Sequence, residues 1–256
     1  LSARASVALG ISLLCLVSTP PASPTPVISI RGHEQALHIS GSPDGYPVVI
    51  SSGDGGWVHL APHAAEVLAD HGFFVVGFDV RAYLSSFTQG RTTLDARDEP
   101  ADYRVLSGLA MRATGKPPIL IGVSAGAGLS VLAAGDSQTS QLIAGVLALG
   151  LPDTTELGWR WRDAVIYVTH AAPNEPVFGV SSVVDRVAPL PFAVIQSTGD
   201  EFVPMADVQR LMSRAREPKQ LWIVKASNHR FSDNPAEFDA RLIEAVQWIL
   251  EHQQHG

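Results

Sequence analysis

Residues 117–130 read PPILIGVSAGAGLS. An apolar run, Ile119-Leu120-Ile121, ends in Gly122-Val123-Ser124-Ala125-Gly126 and passes directly into a small-residue helical pattern. A strand, a G-x-S-x-G turn and a helix in immediate succession predict a serine hydroxyl raised above the edge of a sheet. The turn is so tight that a Cβ at either flanking glycine would meet neighbouring backbone. Ser124 is therefore expected in a strained conformation. The helix starts right after it, so the Ala125 N–H lacks an intrahelical acceptor and can face a developing oxyanion. The bland alternative is a chance match in a chain with 22 glycines. The strand before and the helix after argue against it.

Working outward, the same alternation of strand and helix recurs on both sides. Upstream, Val27-Ile30 and Ala36-Ile39 are short strand-like runs, and Ser42-Pro43-Asp44-Gly45-Tyr46 signals a turn. Pro47 to Ser51 reads as a buried strand, Trp57 to Asp70 as an amphipathic helix, and Phe73 to Val80 as another buried strand. That βαβ order predicts a parallel sheet. Arg81 to Asp98 shows little periodicity and is expected to run over the sheet edge, before a helix over Glu99 to Thr114. Downstream, strands are expected at Ile143-Leu149, Pro191-Gln196 and Gln220-Ala226, with a helix over Pro204-Arg216. The last helix opens on Asn234-Pro235-Ala236-Glu237, the order of a cap, an N1 proline and an N3 glutamate. Leu151 to Ala188 contains Trp159, Trp161, Tyr167 and Phe178 between the strands and reads as a lid-like insertion.

Composition narrows the possibilities. The 256 residues are 46% hydrophobic and 17% charged, enough for the thick core of one large α/β domain, here residues 26–256. A net charge of −7 with no Lys/Arg cluster disfavours nucleic-acid binding. The one cysteine, Cys15, lies in an apolar leader, so the remaining chain has no disulfide, thiol nucleophile or thiolate metal site. His59 and His63 are four apart, but no third ligand is evident and they read as exposed helix residues. No cofactor is expected. Residues 1–25 carry Arg4, an apolar run from Val7 to Val17 and small or turn-forming residues at Pro20-Ser23. This is the pattern of a secretory signal peptide or a retained N-terminal anchor, with export to a bacterial periplasm expected.

Ser124 needs a base, and the base needs an orienting acid. In α/β-hydrolases these follow in the order Ser, Asp or Glu, His, each after a strand. Asp200 stands in Ser197-Thr198-Gly199-Asp200-Glu201-Phe202-Val203-Pro204, and His229 in Ser227-Asn228-His229-Arg230-Phe231. Asp153 and Glu201 are alternative acids, and His170 is a competing base. A second oxyanion donor is expected in Ser52-Gly53-Asp54-Gly55-Gly56, with the Asp54 N–H first and Gly55 next. That glycine-rich run lacks the lysine of a phosphate loop.

With these residues in view, the chain resembles the VirJ/AcvB family of exported α/β-hydrolases, named for bacterial virulence proteins linked to type IV secretion. The resemblance runs from Pro47 to the C-terminus. It is carried by Ser52-Gly53-Asp54-Gly55-Gly56-Trp57 after a strand and by Gly122-Val123-Ser124-Ala125-Gly126-Ala127. Leu149-Gly150-Leu151 and Thr155-Glu156-Leu157-Gly158-Trp159 are similar to a further family region. Val123 stands where the family more often has an aromatic residue, and Gly128 where it has an acid. The resemblance implies an α/β-hydrolase fold: a mostly parallel sheet with helices on both faces and a small lid-like insertion. It also implies hydrolysis of aminoacyl-phosphatidylglycerol, lysyl or alanyl, at the outer face of the inner membrane. In that reading Ser124, Asp200 and His229 are catalytic, Asp54 and Ala125 hold the oxyanion, and Gly55, Trp57 and Trp159 contact a small-molecule or lipid ester. Two other readings stay open: a general periplasmic carboxylesterase of the dienelactone-hydrolase type, and a non-enzymatic partner of a secretion machine.

Overall fold

The computed structural model of this protein describes residues 25–161, 163 and 175–253. The expected leader, apart from Thr25, lies outside them, as does His170. The chain runs β1 (Val27–Ile30), β2 (His33–Ser40), β3 (Tyr46–Ser51), α1 (Leu60–Asp70), β4 (Phe73–Phe78), α2 (Val80–Phe87), α3 (Glu99–Thr114) and β5 (Ile119–Val123). It continues with α4 (Ala125–Ala134), β6 (Gly145–Leu149), β7 (Thr154–Glu156), β8 (Val177–Gly179), β9 (Phe192–Ser197), α5 (Met205–Arg214), β10 (Lys219–Val224) and α6 (Pro235–His252).

Eight strands form one sheet in the order β1-β2-β4-β3-β5-β6-β9-β10. β1 and β2 pair antiparallel, as do β2 and β4, and every later pair is parallel. β3, β4, β5, β6 and β9 are almost continuously apolar because both their faces are covered. Alternate residues separate into two cores. Val48, Ile50, Ile121, Leu147 and Ile195 meet α1 and α6, whose Leu68, Leu242, Val246 and Ile249 are buried there. Val49, Leu120, Val146 and Val194 meet the other face, against Leu106 of α3, Leu129 of α4 and Leu211 of α5.

The structure departs from the sequence reading in three places. The stretch after β4 is irregular only from Thr88 to Asp98; before that, Asp79 accepts from Ala82 N–H at 2.9 Å and starts α2. These eight residues, about two turns, were hidden because β4 ends two residues early, so the helix begins inside the apolar run. Helix α1 begins at Leu60, not Trp57, because the loop after β3 extends to His59. The start of α6 is not a capping box. Asn234 Nδ2 donates to Glu237 Oε2 and to Lys225 O, so its side chain does not cap the helix amides.

The expected lid region begins as a ribbon, β7 paired antiparallel with β8. It packs on α4, where a Cβ on Gly128 would fall 1.8 Å from Thr155 Oγ1. The space beside Gly128 is thus filled by the ribbon.

Candidate active site

The parallel strands end side by side, Ser51 beside Gly122, Val123 beside Leu149, Leu149 beside Ile195, and Ser197 beside Val224. Their following loops therefore gather along one edge, where the chain leaves β3 and β5 towards opposite ends of the sheet. Bonds beyond the strands keep these loops in line. Ser124 N–H donates to Leu149 O (2.9 Å), Gly150 N–H to Ile195 O (3.1 Å) and Gly199 N–H to Ala226 O (2.8 Å).

Ser124 sits at φ 51°, ψ −117°, a left-handed conformation unfavourable for a residue with a Cβ. The flanking glycines make it possible. A Cβ on Gly122 would lie 2.2 Å from Gly126 O, and one on Gly126 would lie 2.3 Å from Ser52 O. The ladder of α4 opens with Ala127 N–H donating to Ser124 O at 2.8 Å, so the Ala125 N–H precedes it. Across from the elbow, Gly53 faces the serine: a Cβ there would be in van der Waals contact, 3.5 Å from Ser124 Cβ. The loop folds on itself through Gly56 N–H to Gly53 O (3.0 Å), with Asp54 and Gly55 at its tip. Ser52 Oγ accepts from Val80 N–H at 3.0 Å and donates to Gly53 O, tying the loop to the start of α2.

Asp200 and His229 come together although 28 residues separate them. His229 Nδ1 and Asp200 Oδ2 are 2.7 Å apart, and the two side chains are 11% and 1% exposed. Phe202 N–H (3.0 Å) and Val203 N–H (2.8 Å) donate to Asp200 Oδ1, and Gln196 Nε2 donates to Oδ2 (3.0 Å). Burial pushes the Asp200 carboxyl up, but the His229 hydrogen bond and charge with the two backbone amides outweigh it. The carboxyl ends below its ordinary range. The Nε2 of His229 is buried without a hydrogen-bond partner among the described residues. The ring lies against backbone: a Cβ on Gly150 would be 2.5 Å from His229 Cε1. Phe202 meets the ring edge-on at 5.6 Å.

The alternative acids have other work. Asp153 pairs with Arg210 at 2.9 Å, and Glu201 accepts the His229 backbone N–H at 2.7 Å. Sequence reasoning missed Gln196 and Gly150. A buried glutamine ending a strand and a glycine after one are the signals it could have used.

The aromatic residues expected at the substrate are placed differently from one another. Trp57 covers Gly77 of β4 and stacks on His38 of β2 at 4.5 Å, so its faces are spent on the far side of β3 from the elbow. Its six-membered ring fills the space a side chain at position 77 would take. Trp159 receives the Arg81 guanidinium over its ring at 5.6 Å and neighbours Trp161 at 6.2 Å. Trp161 is 86% exposed. Glu156, at the end of β7, is pushed up to about 7, chiefly by burial and then by the charges of Asp54 and Asp163, against a bond from its own backbone. A titratable carboxyl thus lies within electrostatic reach of the 52–56 loop.

Among the described residues no group of His, Cys, Asp and Glu is arranged to hold a metal ion, and no helix is long and apolar enough to cross a membrane. His59 precedes α1 at φ 57°, and His63 Nε2 pairs with Asp239 at 2.6 Å.

A family model described as "Bacterial virulence protein (VirJ)" matches residues 46–162. The match takes in Asp54, Ser124 and Trp159 and ends before Asp200 and His229, short of the C-terminus to which the resemblance was drawn. No curated protein matches the chain. Solved structures do. An esterase from Pyrococcus furiosus has 18% identity and a TM-score of 0.65, covering 90% of each chain. A dienelactone hydrolase from Anabaena variabilis has 16% identity and a TM-score of 0.63, covering 90% of this chain and 97% of that one. A monoacylglycerol lipase from Paleococcus ferrophilus has 18% identity and a TM-score of 0.58, covering 86% and 100%. At such identities the likeness is one of fold. Residues 46–162, from β3 through the first strand of the ribbon, make this chain VirJ-like, and its sheet is that of an α/β-hydrolase.

Proposed function

We propose that the protein is a serine hydrolase that cleaves an ester through a Ser124 acyl-enzyme, with His229 as base and Asp200 as its orienting acid. The observation that carries this reading is the His229 ring, held at Nδ1 by a buried carboxylate while Nε2 is buried and unpartnered. Asp200 keeps the proton on Nδ1, leaving the Nε2 lone pair to take the Ser124 proton. Ser124 Oγ then attacks the ester carbonyl, and the Ala125 and Asp54 amides receive the oxyanion. As the intermediate collapses, His229 gives the proton to the leaving alkoxide. Water, activated by the same Nε2, attacks the acyl-enzyme and frees Ser124.

The substrate we favour is aminoacyl-phosphatidylglycerol, lysyl or alanyl, met by an exported enzyme at the outer face of an inner membrane. The VirJ-like region and the leader pattern of residues 1–25 support it. So does the Glu156 carboxyl beside Asp54, which suits the ammonium of an aminoacyl group. Exposed Trp161 and Phe202 supply apolar surface for peripheral contact with lipid. A general carboxylesterase is the second reading, favoured by the esterase and dienelactone hydrolase among the similar structures.

The test compares wild type with Ser124→Ala on a short-chain aryl ester and on both aminoacyl lipids, with mass spectrometry after an organophosphonate probe. Lipid hydrolysis lost by several orders of magnitude in the variant, with the adduct on Ser124, supports the reading. Aryl ester cleavage with intact lipids leaves the esterase. A folded protein inert to esters and probe overturns both.

A further inference from the structure

A cavity of about 310 Å³ opens beside the histidine loop, between the first turns of α1 and α6. Its floor is apolar, with Phe231 and Phe238 buried, and its polar lining is His59, His63, Arg230 and Ser232. Arg230 is exposed, its backbone N–H is held by Asn228 Oδ1, and its guanidinium has no carboxylate partner among the described residues. Ser232 Oγ accepts from Asn228 Nδ2 at 2.9 Å, which leaves its own O–H to donate. Asp239 pairs with His63 Nε2 at 2.6 Å and fixes that ring. Neither α1 nor α6 has a side-chain cap; α1 has no acid in its first turn, whereas α6 carries Glu237 there. The cavity is lined by the first residues of both helices, and α1 presents the positive end of its dipole there without an opposing acid.

His59 is held at φ 57°, ψ −110°, nearly the backbone conformation of Ser124 at φ 51°, ψ −117°. A second residue in this protein is thus presented from a strained turn into a helix at the catalytic edge. Both walls belong to loops of the candidate active site. His59 closes the loop that starts at Ser52, and Arg230 follows His229.

We propose that this cavity is a subsite for a phosphate-ester group, gripped by Arg230 with His59 and Ser232 while an attached apolar part rests on Phe231 and Phe238. A guanidinium, an imidazole, a hydroxyl and helix-end amides offer more donors than one carboxylate can use, and they suit the oxygens of a phosphate. As the holder of a phosphate-bearing leaving alcohol next to His229, the subsite rests on the hydrolase reading above; the binding itself does not.

The full chain is titrated calorimetrically with inorganic phosphate, glycerol 3-phosphate, dihexanoyl phosphatidylglycerol and acetate. The phosphates bind wild type, Arg230→Gln weakens them about tenfold or more, and Arg230→Lys recovers part of the loss. His59→Gln weakens them less, and Arg112→Gln, on the distant α3, leaves them unchanged. Tighter binding of the lipid than of glycerol 3-phosphate identifies a lipid headgroup as the ligand; equal binding identifies a soluble phosphate ester. No phosphate binding, binding indifferent to Arg230→Gln, or equal binding of acetate overturns the proposal. A chain that binds phosphate but cleaves no ester sinks the hydrolase reading alone, and one that cleaves esters without binding phosphate sinks the subsite alone.

Discussion

Gly150 and His229 are in such close contact that a methyl group on the glycine would stand 2.5 Å from the imidazole Cε1. Gly150 also has φ +62°, so a side chain there is unwelcome twice over. Gly150→Ala is expected to push the ring off its place beside Asp200. A misplaced base costs about 10²-fold in kcat, with a smaller change in KM. Circular dichroism should show the fold retained, since the displaced ring is at the sheet edge. Full activity in this variant would mean that His229 does not need its present position.

Asp200→Asn keeps the shape but lets an amide donate towards His229 Nδ1, which places the imidazole proton on the wrong nitrogen. A loss of about 10³–10⁴-fold in kcat with little change in KM is expected. The wild-type carboxyl titrates below its ordinary range. Its stabilising contribution is therefore complete above the unfolded carboxylate pKa of about 3.9 and is lost as pH falls through the lower folded value. Urea unfolding at pH 7 and at pH 3 checks this: any stability advantage over Asp200→Asn should shrink at the acid end.

Glu99 is buried at the start of α3 with neither carboxyl oxygen hydrogen-bonded. Burial, then the charges of Asp102 and Asp136, raise its carboxyl well above the ordinary range. The sign is opposite to that of Asp200. Its favourable contribution is complete below the unfolded value and is lost as pH rises through the folded one. Glu99→Gln should match wild type at pH 4 and melt higher at pH 8, by about 2–4 °C for each kcal/mol recovered. Thermal melts of both proteins across that range decide it. A variant no more stable than wild type at pH 8 would show that the carboxyl is not strained there.

Glu156, pushed up to about 7, should gain its charge over the neutral range. A lysyl ester keeps its side-chain ammonium over that range, with a pKa of about 10.4. Its KM should therefore fall several-fold from pH 6 to pH 8 relative to that of a neutral ester. Glu156→Gln should flatten the ratio. Parallel profiles for both esters in wild type would remove Glu156 from acyl recognition.

Much of the site was legible in the chain because its parts are local. A nucleophile elbow needs two glycines and a serine within five residues, and their steric reason is visible in the letters Gly122 to Gly126. The order of Ser124, Asp200 and His229 after β5, β9 and β10 was legible for the same reason: each is marked by an apolar run that ends in a turn. Helix α2 was not, because its first residue continues the apolar run of β4 and its cap, Asp79, reads as part of that run. The placing of Trp57 was not legible because a tryptophan beside a glycine-rich loop gives no sign of which face it covers; Gly77, twenty residues on, does.

By itself, then, the sequence determined the strand and helix order, the strained serine and the candidates for its base and acid, all properties of contiguous residues. The tertiary structure alone decided which acid meets His229, since Asp153, Asp200 and Glu201 are alike in the chain and only strand order brings Asp200 Oδ2 to Nδ1. It also decided that Gly150 makes room for the ring, that the 156 carboxyl titrates near neutrality, and that His59, His63 and Arg230 share one cavity. These depend on distances between residues far apart in the chain, and such distances exist only once the sheet has closed the loops along one edge.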